Sequence, residues 1–196
     1  MNTRRRCTAF HEAGHVLAFW WNGQPIQRVT VRHPEEAAAG PMVDLRGHLQ
    51  PVEGLVEAEY FVLHPALIAQ GIAEYLPSMV ESIERDLIDC FAGPVAEAVF
   101  RHSQSDTFLG SSGRGDRQRG HELISLLPPR MLLDAESLAI TRANHLVRRY
   151  WPALTAVANR LHEQGSMSGE AINLLLREVT GETPKRRANN LASLDR

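Results

Sequence analysis

Residues 3–31 read TRRRCTAFHEAGHVLAFWWNGQPIQRVTV, and this stretch decides the fold. Phe10, Ala13, Leu17, Trp20 and Trp21 recur at helical spacing, so residues 3–22 are predicted to form a helix with a buried side, stopped by Gly23 and Pro25. Residues 26–31 (IQRVTV) then alternate and are rich in β-branched side chains, the mark of a strand, which His33-Pro34 closes. Inside the helix stands His11-Glu12-Ala13-Gly14-His15, an H-E-x-x-H arrangement. Histidines at i and i+4 lie about 40° apart around a helix axis, so both imidazoles leave one face and can share a metal ion. The Glu between them can reach a water on that ion without ligating, and can take the proton that the ion has made more acidic. Gly14 costs about 1 kcal/mol in a helix interior; it either leaves room for a packed neighbour between the two histidines or is simply tolerated there.

Outward from this segment the pattern stays mostly helical. Residues 42–49 are expected to form a second strand pairing with 26–31, and a peptide is expected to add along the edge of 26–31. Residues 53–63 are ambiguous, and Pro65 and Pro77 cut the next apolar stretches into short helices. Residues 80–101 are helical in pattern, with Pro94 near a start or at a kink. Residues 103–115 read as a Gly/Ser-rich loop, and 116–127, 134–150, 152–164 and 168–179 as helices. The expected fold class is therefore mainly α with a small β element (α+β), one domain over residues 1–180, followed by a polar, frayed tail at 181–196.

Composition narrows the function. Of 196 residues, 43% are hydrophobic and 22% charged, which supports a globular core. Twenty-one Lys and Arg against 23 Asp and Glu leave a net charge of −2, which argues against a nucleic-acid partner. No apolar run approaches 18 residues, so no membrane insertion is expected, and Arg4-Arg5-Arg6 lacks the apolar run of a signal peptide. Cys7 and Cys90 are too few for a disulfide framework and read as reduced thiols, consistent with a cytoplasmic protein. Cys7 continues the i, i+4 series of His11 and His15, but stands a turn too far from His15 to share its ion and reads as a buried thiol.

A zinc site needs a third protein ligand and an open position. Asp116, Glu97, Asp106, His102, His121 and Glu122 all offer the right chemistry, and chemistry alone does not choose among them. Glu97 can act instead by hydrogen-bonding a ligating histidine.

The segment CTAFHEAGHVLAFWWNGQPIQRVTVRHP resembles the start of the peptidase domain of the FtsH family of ATP-dependent zinc metallopeptidases. LIDCFAGPVAEAVF is similar to that family's A-G-R-x-A-E-E helix, and SSGRGDRQRGHELI to its S-x-G-A-x-x-D segment. AVANRLHEQGSMSGEAINLLL is similar to its closing helices. The likeness runs over residues 4–180. It implies an FtsH-peptidase-like helical zincin domain, with His11, His15 and Asp116 as Zn2+ ligands and Glu12 as catalytic base. It implies endopeptidase action on unstructured polypeptide.

There are departures. Pro94 stands where the family has Arg, Ala98 replaces the second Glu, the loop 101–109 is longer, and the interval from Gly113 to Asp116 is one residue shorter. No G-x-x-x-x-G-K-[ST] phosphate loop occurs, so the expectation is a stand-alone peptidase without its own motor. Two alternatives stay open: a metal-binding scaffold without proteolysis, and a peptidase subunit docking on a separate ATPase. Self-association into a homo-oligomer also stays open.

Overall fold

The computed structural model describes residues 3–183 and 190–195, with the side chain of Asp106 outside that set. Helix α1 (Thr3–Asn22) runs through the middle of the molecule and is buried on nearly every side from Ala9 to Asn22. A helix buried all round has no solvent face on which to place its polar residues. Those it carries must be satisfied by neighbours, which is how His11, His15 and Asn22 come to face partners. Gly23 ends α1 at φ 71°, with Gln24 N–H bonded to the Phe19 carbonyl and Gly23 N–H to that of Trp20. This paired closure requires a left-handed residue, and glycine supplies it.

The turn delivers the chain into β1 (Ile26–Val31). Between β1 and β4 (Gly54–Ala58) lie α2 (Pro34–Ala38) and a small hairpin of β2 (Met42–Val43) and β3 (Leu49–Gln50). The main sheet has the order β4-β1-β5, all antiparallel, where β5 is Ser166–Ser168. Val29 pairs with Val56 on one side and with Met167 on the other.

Two expectations are corrected by this topology. The second strand is not residues 42–49, which form their own two-stranded sheet. Strand β1 is the centre of the main sheet, and β4, drawn from the ambiguous region, is one of its two end strands, β5 the other.

Helix α3 (Pro65–Ala69) leads to the second long helix, α4 (Met79–Phe100), which packs along α1. Gly14 is the contact point: a Cβ there would overlap the Ala92 carbonyl and the Ala96 methyl. Pro94 lies within α4 and ends nothing. Then come α5 (Ser105–Leu109), inside the expected loop, α6 (Arg114–Ile124), α7 (Ala135–Arg149), α8 (Trp151–Gln164) and α9 (Gly169–Thr180). The core sits where α1 meets α4 and α8, with α7 packed on α4. Phe10 stacks on Phe100 with ring centroids 3.9 Å apart, and both Trp20 and Trp21 are buried.

The tail is not frayed where it is described. Leu191 and Leu194 are buried in a short 3-10 turn against α7, the Arg142 guanidinium pairs with Asp195, and His145 Nδ1 donates to the Leu194 carbonyl at 2.6 Å. Two leucines three apart put one apolar face on an otherwise polar segment. Residues 184–189 and 196 of the expected tail lie outside the described residues.

Candidate metal centre

Helix α1 aims His11 and His15 at the same point. Their Nε2 atoms are 3.1 Å apart, and Asp116 brings Oδ2 to 3.2 Å from the first and Oδ1 to 3.5 Å from the second. Asp116 reaches them from the first turn of α6, where a helix N-terminus favours negative charge. The start of α6 is seated by Pro94: Gly113, just before the helix, lies so close that a Cβ would strike the proline ring.

The outer nitrogens of the two imidazoles are also engaged. His11 Nδ1 stands 3.3 Å from Glu97 Oε2, and His15 Nδ1 donates to the Asp89 carbonyl at 2.7 Å. A carbonyl and a carboxylate only accept, so both Nδ1 atoms carry hydrogen and the neutral rings present Nε2 lone pairs to each other and to Asp116. Glu97 is itself fixed by Ser112 Oγ at 2.7 Å and Arg101 Nη1 at 3.3 Å. Space is made by a glycine: a Cβ on Gly93 of α4 would overlap the His15 ring.

With both rings neutral, three electron-pair donors converge without a donor hydrogen among them, and such a set needs positive charge in its midst. Zinc takes this set of two imidazole nitrogens and one carboxylate oxygen, with one position left open. The electrostatics agree. Burial opposes charge on His11, but its hydrogen bonds with Asp116 and Glu97 prevail and push its pKa up to about 10. His15 moves up as well, chiefly through Asp116 against its own burial. Burial would raise Asp116, yet the two imidazoles hold it far below the usual carboxylate range. Without an ion, protons fill the place where one fits.

Glu12 points from the same helix into the cleft and is buried, which lifts its pKa above the ordinary glutamate value. Its carboxylate lies against Gly54, the first residue of β4, where any Cβ would collide with it. The cleft holds about 1140 Å³, and its lining includes His11, Glu12, Asp116, Phe100, Phe108 and the start of β4.

The chain resembles a known metalloprotease over most of its length. It is 28% identical over 193 residues to the ATP-dependent zinc metalloprotease FtsH of Synechococcus sp. (strain JA-2-3B'a(2-13)), covering 88% of this chain and 30% of that relative. The chain therefore spans under a third of the relative's length. No protein-family model matches it.

Of the six candidates for third ligand, the structure brings only Asp116 to the two Nε2 atoms among the described residues. Glu97 sits behind His11. His121 faces Glu136 at 3.3 Å on the far side of α6, and His102 and Glu122 are exposed. The side chain of Asp106 lies outside the described residues. Cys7 is buried, lines the cleft and is not part of the cluster.

Sequence reasoning missed the Asp89 carbonyl, Gly54 and Gly93. A carbonyl leaves no trace in a sequence. Gly93 does, as a glycine beside a proline within a helical pattern, which signals close approach.

Proposed function

We propose that this chain is a zinc-dependent peptidase that cleaves extended, unstructured polypeptide, with His11, His15 and Asp116 as ligands and Glu12 as general base. The observation that carries this reading is the convergence of two Nδ1-anchored imidazoles and one carboxylate beside a buried glutamate in an open cleft. A zinc ion held there supplies a Lewis acid for the scissile carbonyl and acidifies a water.

The chain's own groups do the rest. Glu12 takes the proton from the attacking water and passes it on to the departing amine. Glu97 and the Asp89 carbonyl keep both rings in the tautomer that turns Nε2 inward. Strand β4 is the end of its sheet and lies at the cleft, so its open edge can align a peptide by strand addition, the role first expected of β1.

The ATP dependence in the relative's name is a property of that protein. These 196 residues contain no phosphate loop, and the proposed hydrolysis needs none. Among the described residues no helix is long and apolar enough to cross a membrane.

The test is Glu12→Gln on zinc-loaded protein with unfolded casein as substrate. The amide cannot accept the water's proton, so cleavage should fall by about 10²–10⁴ while metal content and circular dichroism stay unchanged. Cleavage within a few-fold of the unmodified protein would exclude Glu12 as base.

A further inference from the structure

Antiparallel neighbours in a sheet are usually joined by about 2–5 residues, yet 22 residues (32–53) separate β1 from β4. Part of that connection is the β2–β3 hairpin. Its turn is built to stand alone: Asp44 accepts from the Arg46 and His48 N–H groups at 2.9 and 2.8 Å and from Gln50 Nε2 at 2.9 Å.

The hairpin is also fixed in place. The Leu45 N–H donates to the Glu57 carboxylate on β4, which Arg28 of β1 holds from the other side at 2.6 Å. Strand β4 thus has two faces with different neighbours. Gly54 and Val56 turn toward α1 and the cleft, and Glu57 turns outward to the hairpin.

Beside the exposed Arg46 and His48 of its turn, the hairpin shows three apolar side chains to solvent. Val43, Leu45 and Leu49 are 55%, 54% and 66% exposed, and Val43 pairs directly with Leu49, so those two share a face. The connection then runs through Pro51, Val52 and Glu53 along the cleft rim into β4. An apolar group of this kind, joined through residues 51–53 to the cleft rim and fixed to β4 through the Leu45 N–H, fits a ligand lying along that strand.

We propose that the β2–β3 hairpin is the outer wall of the substrate groove, contacting apolar side chains of an extended polypeptide whose alternate residues point into the cleft. This rests on reading the cleft as a polypeptide site. Successive side chains of a strand leave opposite faces. A peptide paired with β4 would send one set toward the metal centre and the other toward Val43, Leu45 and Leu49. The groove then selects a polypeptide that is apolar on both faces, a feature of chains normally folded around a core.

The experiment measures fluorescence anisotropy on zinc-loaded Glu12→Gln protein, using two dye-labelled peptides with lysine ends. One has a Leu-Val alternation and the other a Leu-Ser alternation. The Leu-Val peptide is expected to bind about tenfold more tightly. The triple variant Val43→Ser/Leu45→Ser/Leu49→Ser should remove that difference while leaving the Leu-Ser affinity within about twofold, and Leu49→Ser alone should remove part of it. Leu133→Ser, which alters a distant side chain that is 94% exposed, should change neither affinity. A preference that survives in the triple variant, or an equal loss for both peptides, would overturn the wall. Failure of both peptides to bind any of these proteins would overturn the polypeptide cleft itself.

Discussion

Replacing Asp116 by alanine removes one of three converging donors and leaves the two Nε2 atoms with no anionic partner between them. Zinc content after dialysis should fall to near zero, at least as far as in His15→Ala. Glu97→Ala should retain metal with affinity lowered about 10–100-fold, because it loosens His11 without deleting a donor. Metal analysis of the two proteins checks this, and a full Asp116→Ala protein beside an empty Glu97→Ala one would exchange their roles. At this scale legibility followed locality. His11, Glu12 and His15 could be read because helix geometry alone puts i and i+4 together. Asp116 is 101 residues from His15, and only the family likeness singled it out from six candidates. Gly93 and Gly54 shape the site through what they leave vacant for His15 and Glu12, a property of tertiary approach that no local spacing contains.

The elements that matter most are α1 and α4, and Gly14 sets how closely they lie. Ala is favoured over Gly in a helix interior by about 1 kcal/mol, so Gly14→Ala would stabilise an isolated α1. In the folded protein the added methyl meets the Ala92 carbonyl, which is backbone and cannot swing aside. Overpacking of this kind costs about 1–3 kcal/mol, so the urea midpoint should fall and zinc affinity should weaken as His15 is displaced from Gly93. A higher midpoint would place the crossing of the two helices elsewhere. The helices themselves were legible from their apolar periodicity. The sheet was less so, because the strand-like stretch next after β1 is not its partner. The true partner comes after a 22-residue connection, and the other partner, β5, lies 135 positions along the chain from the end of β1 to its start. Pairing over such distances is decided by what packs on α1, and short strands of two to five residues carry little alternation to betray it.

For the molecule as a whole, the centre couples metal, protons and stability. In the ion-free protein His11 has its pKa raised to about 10, above the ordinary value near 6.5. A histidine shifted upward stabilises the fold fully below its unfolded pKa, and that contribution fades as pH rises toward the folded value. Zinc needs the neutral ring, so loading at pH 7 must displace protons, and apparent affinity should rise with pH. The two effects have opposite sign: ion-free stability declines with rising pH where the zinc-dependent increment grows. Free zinc at a hundred times its dissociation constant adds about 2.7 kcal/mol. For a chain of this size that is roughly 5–11 °C in Tm, taking about 2–4 °C per kcal/mol. The gap in Tm between zinc-loaded and chelator-treated protein should therefore be wider at pH 8 than at pH 6 at fixed free zinc, and calorimetry should detect proton release on titration. His11→Ala should abolish the gap at both values. A gap independent of pH would mean that the ion does not replace protons on these imidazoles, and would move the metal away from His11 and His15.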